Sequence, residues 1–196
     1  MERTANIERK TKETDIKIRL NLDGRGVAKI DTGIPFIDHM LTLMAAHGFM
    51  DLQVSARGDT EVDYHHTVED LGICLGMAIN QALKEKKGIR RYGQAKIPMD
   101  EALTGVVIDI SNRPFLAYRV KLRETVTGKF DTNLIKEFFR ALANYSGITM
   151  HVDLISGDDA HHITESIFKA FGRALDQAVT LESRLEGSVP STKGLL

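Results

Sequence analysis

The chain has 196 residues, 42% apolar and 27% charged, and its 26 basic and 27 acidic side chains leave a formal net charge of −1. Charges of both signs are interspersed, which excludes the basic footprint of a nucleic-acid binder and the polybasic anchor of a membrane-surface protein, and no apolar run approaches the roughly 20 residues that cross a bilayer. The single cysteine, Cys74, cannot form an intrachain disulfide, so a soluble, cytoplasmic protein is expected, with small molecules or further copies of itself as partners.

Weak alternation over 4–10 and strict alternation over 15–22, where Ile16, Ile18, Leu20 and Leu22 share a face, predict two strands. The glycine-rich stretch 23–26 predicts a hairpin turn returning into a third strand over 27–31. A helix over about 35–46 follows, with Phe36, Met40, Leu43 and Met44 inward and Gly48 as its stop. A strand over 49–56 and a helix from about 66 complete the first half; Lys86 and Lys87, before Gly88, suit the negative end of that helix.

The same order then repeats. Strands are predicted over 94–98, 102–110 and 115–122, and a helix over 132–145 with Asp131 or Thr132 as its N-cap. A strand over 148–155 and a long helix over 160–185 close the pattern. Each half reads βββαβα, and the expected fold is α+β. Two pseudo-symmetric halves, 1–92 and 93–186, each form a four-stranded sheet with two helices, and the helix layers pack between the two sheets as one compact unit. The polar tail, 187–196, shows no packing pattern; its hydroxyls and Lys193 offer a cover for an anionic ligand.

One pattern marks both halves. His65-His66-Thr67-Val68-Glu69 is matched 96 positions later by His161-His162-Ile163-Thr164-Glu165, so four of the seven histidines occupy two equivalent places. On a helix the first histidine and the glutamate share a face, whereas the second histidine points about 100° away. Imidazole with carboxylate is a usual donor set for divalent cations. Overlaying the halves adds His39 and Glu137, each on the first helix of its half.

The expected arrangement is two metal sites, {His65, Glu69, His162} and {His161, Glu165, His66}, each completed by His39 or Glu137 and closed within one chain or between two. Manganese(II) suits six-coordinate sites of mixed nitrogen and oxygen donors, although zinc or nickel would bind more tightly by the usual affinity order. His47 and His151 have no counterpart in the repeat and are left out.

Other motifs extend the pattern: 9–14, Asp38-His39-Met40-Leu41, Arg91-Tyr92-Gly93, Pro98-Met99-Asp100-Glu101-Ala102, Ser111-Asn112-Arg113-Pro114 and Phe168-Lys169-Ala170-Phe171. With the paired histidines, they make the chain resemble the imidazoleglycerol-phosphate dehydratase family over essentially its whole length. The resemblance implies a hydro-lyase of histidine biosynthesis. Its reaction converts D-erythro-imidazole-glycerol phosphate to imidazole-acetol phosphate, with two manganese ions per active site stabilising an imidazolate that expels the C3 hydroxyl through a diazafulvene.

The resemblance further implies that Glu13 is an acid/base residue in contact with substrate and that Asp100 lies near the reaction. Arg91, Arg113, Lys169, Ser191 and Lys193 fall on phosphate-binding positions. It also implies a homo-oligomer, a 24-subunit shell of trimers with sites between chains. Two positions depart from the pattern. Glu137 stands where some members have histidine, and Leu43 stands where others have glutamine.

Overall fold

The computed structural model describes residues 3–185 and 187–194. It contains two four-stranded sheets of the same order. In the first, β1 (Thr4–Lys10), β2 (Thr14–Asn21), β4 (Asp51–Gly58) and β3 (Ala28–Asp31) lie side by side. In the second the order is β5 (Tyr92–Met99), β6 (Ala102–Ile110), β10 (Ile148–Ser156) and β7 (Phe115–Arg119). Ile16, Ile18 and Leu20 are buried, as their alternation requires.

The predicted hairpin at 23–26 does not form. β4 inserts between β2 and β3, pairing antiparallel with β2 (Ile18 opposite Val54) and parallel with β3 (Ile30 opposite Val54). The 23–27 loop passes over the start of β4 instead, where Asp51 Oδ1 accepts hydrogen bonds from the backbone N–H groups of Arg25 (2.8 Å) and Val27 (3.0 Å). A parallel pair needs a long crossover, and helix α1 (Pro35–His47) supplies it. The second half repeats the device with α3 (Leu134–Ser146) between β7 and β10.

Helix α2 (His65–Leu83) lies on the first sheet and α4 (Ala160–Val179) on the second. Across the middle of the molecule α1 packs on α4, and α2 packs on α3. The helix layers are therefore sandwiched between the sheets as expected, and each cross-layer pair joins one helix from either half. Phe138, Phe139, Phe168 and Phe171 meet there with ring centroids 5.0–5.4 Å apart. Truncating one such buried ring to alanine costs about 3–5 kcal/mol.

Several boundaries differ from expectation. Helix α4 stops at Val179 rather than near 185, because Leu181 bridges to Ile89 and the chain turns through a 3-10 segment, Ser183–Leu185. Helix α3 begins after Asn133, whose side chain makes no capping bond, and follows a two-stranded hairpin, β8 (Val126–Thr127) with β9 (Phe130–Asp131), too short for any alternation to register. Phe36 and Leu43 are only partly buried; Ile37 and Leu41 take the inner face of α1.

Lys86 is not a solvated dipole partner, since α2 ends at Leu83. Its side chain is buried and its amine donates to Asn80 Oδ1 (2.8 Å) and Asn112 Oδ1, tying the two halves. The tail is tied to the body as far as Pro190: Ser188 O accepts from Gly88 N (2.8 Å), and Pro190 O accepts from Arg91 Nη1 (2.8 Å). Among the described residues no helix is long and apolar enough to cross a membrane.

Candidate active site

Each paired-histidine motif opens a helix, and an aspartate two residues before it fixes the first turn. Asp159 Oδ1 accepts from the backbone N–H of His161 (2.7 Å) and His162 (3.2 Å), and Asp63 Oδ1 accepts from that of His65 (2.7 Å). Helical periodicity then sets the first histidine over the glutamate: His161 Nε2 lies 3.1 Å from Glu165 Oε1, and His65 Nε2 lies 3.6 Å from Glu69 Oε2. The second ring of each pair turns away, at 86° to the first in His65/His66 and 79° in His161/His162.

The cross-layer helix contacts bring the third group. His39, on α1, places Nε2 3.0 Å from Glu165 Oε1, so that His39, His161 and Glu165 present three donor atoms within 4.8 Å of one another. Neighbouring donors about 3 Å apart are what an octahedral shell with bonds of about 2.1 Å requires, so this donor set fits a divalent ion. An apolar cavity of about 510 Å³ opens beside it, lined in part by Phe36, Tyr64 and Phe130.

Burial pushes the Glu165 carboxyl upward, but hydrogen bonds from Lys169 (2.7 Å) and His39 outweigh it and hold the group at about 2. It is ionised, as a ligand must be. The counterpart of His39 is Glu137, on α3. Gly72, one turn after Glu69, lets α3 approach so closely that an added Cβ would sit 2.4 Å from Phe138 O, the neighbour of Glu137. Glu137 is half-buried and paired with Arg140.

Neither second histidine joins the His39, His161 and Glu165 set within one chain, and Glu137 is not brought to His65 and Glu69 in such a set among the described residues. His66 Nδ1 is 3.0 Å from Asp59 Oδ2 and 3.8 Å from Glu13 Oε2. His162 Nδ1 is 2.8 Å from Glu101 Oε2, and its Nε2 is 3.9 Å from Asp100 Oδ2. Hydrogen bonding to Asp59 and to Glu101, respectively, raises the pKa of both rings. Among the described residues the single chain thus assembles His39 with His161 and Glu165, and separately His66 with Asp59 and Glu13, each set with its donor atoms within 4.8 Å, while His162 pairs with Glu101. Asp59 and Glu101 were not among the expected site residues. Asp59 belongs to the Gly58-Asp59 pair ahead of the first motif, but carboxylates in turns look like solvated charge until the fold places them.

Arg91 and Arg113 gather around Asp109. Arg91 donates through Nε (2.6 Å) and Nη2 (3.1 Å) to the two carboxylate oxygens, and Arg113 Nη2 stands 3.5 Å away with most of its side chain exposed. Ser191 and Lys193 follow the Pro190 carbonyl that Arg91 holds, with Ser191 Oγ accepting from Lys193 N at 3.2 Å. Lys169 lies elsewhere, one turn beyond Glu165 and donating to it at 2.7 Å.

The two groups are far apart. Arg91 N bonds Ala178 O at the end of α4, 17 residues from His161, which at 1.5 Å per residue is about 26 Å. Leu43 packs against the core.

Residues 32–175 match the family profile described as imidazoleglycerol-phosphate dehydratase. The chain belongs to the imidazoleglycerol-phosphate dehydratase family. It is 57% identical to the Geobacter metallireducens imidazoleglycerol-phosphate dehydratase over 196 residues, covering all of both chains. It is 53% identical to that of Nitrosomonas europaea over 194 residues, covering 99% of this chain and 98% of the relative.

Among solved structures, the Staphylococcus aureus dehydratase is similar with a TM-score of 0.83 and 41% identity, covering 91% of this chain and 99% of that one. The Pyrococcus furiosus structure, in complex with (S)-C348, has a TM-score of 0.84 and 37% identity, covering 97% of this chain and 100% of that one. The protein is accordingly a hydro-lyase of histidine biosynthesis, and its substrate is an imidazole-glycerol phosphate.

Proposed function

We propose that the chain dehydrates D-erythro-imidazole-glycerol phosphate to imidazole-acetol phosphate at sites holding two metal ions, manganese(II) in the cytoplasm, and shared between subunits. His39, His161 and Glu165 hold one ion; His65, Glu69 and Glu137 hold the other. His162 of a second copy completes the set of His65 and Glu69, and His66 of a second copy completes that of His161 and Glu165. A bound metal ion supplies positive charge that lowers the ring N–H pKa, and an open coordination position for a ring nitrogen.

The chain's own groups do the rest. Glu13, exposed and beyond hydrogen-bond distance of His66, moves a proton at the reacting carbons while ring electrons expel the C3 hydroxyl. Asp100, exposed and 3.9 Å from His162 Nε2, lies near the reaction. Arg91, Arg113, Ser191 and Lys193 take the phosphate, the arginines through their planar forks, and Lys169 adds a cation beside Glu165.

The observation that carries subunit sharing is the span of about 26 Å between the ligands at the start of α4 and Arg91 at its end. A three-carbon chain between ring and phosphate does not bridge it, which supports the reading that these cations serve ligands of another copy. A trimer-based assembly of 24 subunits is the form this takes. That the two halves, 1–92 and 93–186, act as one unit is supported by the His39, His161 and Glu165 set, which draws on both. Cytoplasmic residence accords with Cys74, a buried thiol pushed up to about 11 by desolvation and therefore inert.

The test is chelator stripping followed by manganese reloading, with product analysis and particle mass. Turnover and two ions per chain should return together, in an oligomer. Full turnover without metal would refute the metal reading, and full turnover by a monomer would refute subunit sharing.

A further inference from the structure

The two outward histidines are held by the same ring atom. His66 Nδ1 lies 3.0 Å from Asp59 Oδ2, and His162 Nδ1 lies 2.8 Å from Glu101 Oε2. A carboxylate can only accept, so in each case Nδ1 carries the proton, and the neutral ring keeps its lone pair on Nε2. The repeat does not impose this agreement. Asp59 follows β4, whereas Glu101 sits on the turn between β5 and β6, where the first half has Glu13. Different positions have arrived at the same bond.

We infer that Asp59 and Glu101 are positioning residues for metal binding, each fixing its histidine as the Nδ1–H tautomer so that Nε2 faces the ion of a neighbouring copy. A carboxylate on the far nitrogen also makes the coordinating nitrogen more basic and restrains the ring's rotation. The two supports differ in consequence. Glu101 is committed, accepting from His162 and from Asp159 N (3.1 Å). In the first half Asp59 makes the hydrogen bond, and Glu13, at 3.8 Å from the same nitrogen, makes none to the ring and keeps its carboxylate for the substrate.

The inference rests on the metal-site reading above, and its test separates the two. Manganese is titrated into the stripped full-length protein while the free-ion EPR signal is followed. Wild-type protein that takes up no manganese overturns the metal-site reading itself.

Given wild-type uptake, Asp59→Ala and Glu101→Ala should each weaken binding about 10–100-fold. Asp59→Asn and Glu101→Gln should fall between, because an amide oxygen still accepts from Nδ1–H but lacks the charge. Alanine variants with wild-type affinity would overturn the inference, and so would amide variants as weak as the alanine ones. If an alanine variant fails to fold by circular dichroism, the nearly isosteric amide variant decides alone: weakened binding supports the role, and unchanged affinity overturns it.

Discussion

In the first half the turn between β1 and β2 offers Glu13 to its histidine at 3.8 Å, and Asp59 makes the hydrogen bond instead; in the second half the equivalent turn gives Glu101, which makes it directly at 2.8 Å. The same contrast recurs on the first helix of each half, where His39 reaches Glu165 at 3.0 Å while Glu137 is paired with Arg140. Two sheets of one strand order therefore carry sites that differ in charge and in which carboxylate is left at liberty. A repeat constrains where helices begin, but it leaves each half to choose how its side chains are supported.

The largest effect that would break this comparison comes from the ligands. His161→Ala and His65→Ala should each lower turnover about a thousandfold or more, since metal charge supplies several kcal/mol, with manganese content falling by one ion per chain. Loss of activity from one variant only, by steady-state assay, would mean that the halves are not joint contributors.

Next, Glu13→Gln should lower kcat about 10²–10⁴-fold while leaving manganese affinity intact, whereas Glu101→Gln should weaken manganese uptake. Parallel kinetics and metal titration read that division directly. A smaller change is expected at the phosphate end. Arg113→Ala removes an exposed cation and should raise KM about tenfold, the scale of one charged hydrogen bond, with kcat little altered.

The smallest effect concerns acid stability without metal. Glu165 is held at about 2 in the fold against an ordinary carboxyl value of 4.5, so the folded state favours its ionised form. Its contribution is complete above about pH 4.5 and disappears as pH falls toward about 2. Glu165→Gln should flatten that part of the profile in denaturant midpoints measured between those limits.

Much of this was legible in the residues. The helix period alone put His161 over Glu165 and turned His162 away, because that geometry is local. Strand order was not legible: alternation in β2 and β3 says which faces are buried, but the partner that separates them, β4, lies 20 residues beyond β3 and beyond a helix. Asp59 and Glu101 escaped for a related reason. A carboxylate in a turn becomes a histidine's support only when another segment carries the ring to it.

Gly172 gives the helix crossing a further meaning. An added Cβ there would lie 2.5 Å from Met44 O, so α1 and α4 touch backbone to backbone. His39 and Glu165 stand about one and two turns earlier on these same two helices, which makes the glycine contact a gauge that sets their separation from the interior. Gly172→Ala carries no charge and reaches no ligand, yet it would open the gauge, costing about 1–3 kcal/mol by overpacking and detuning the ion's seat from below.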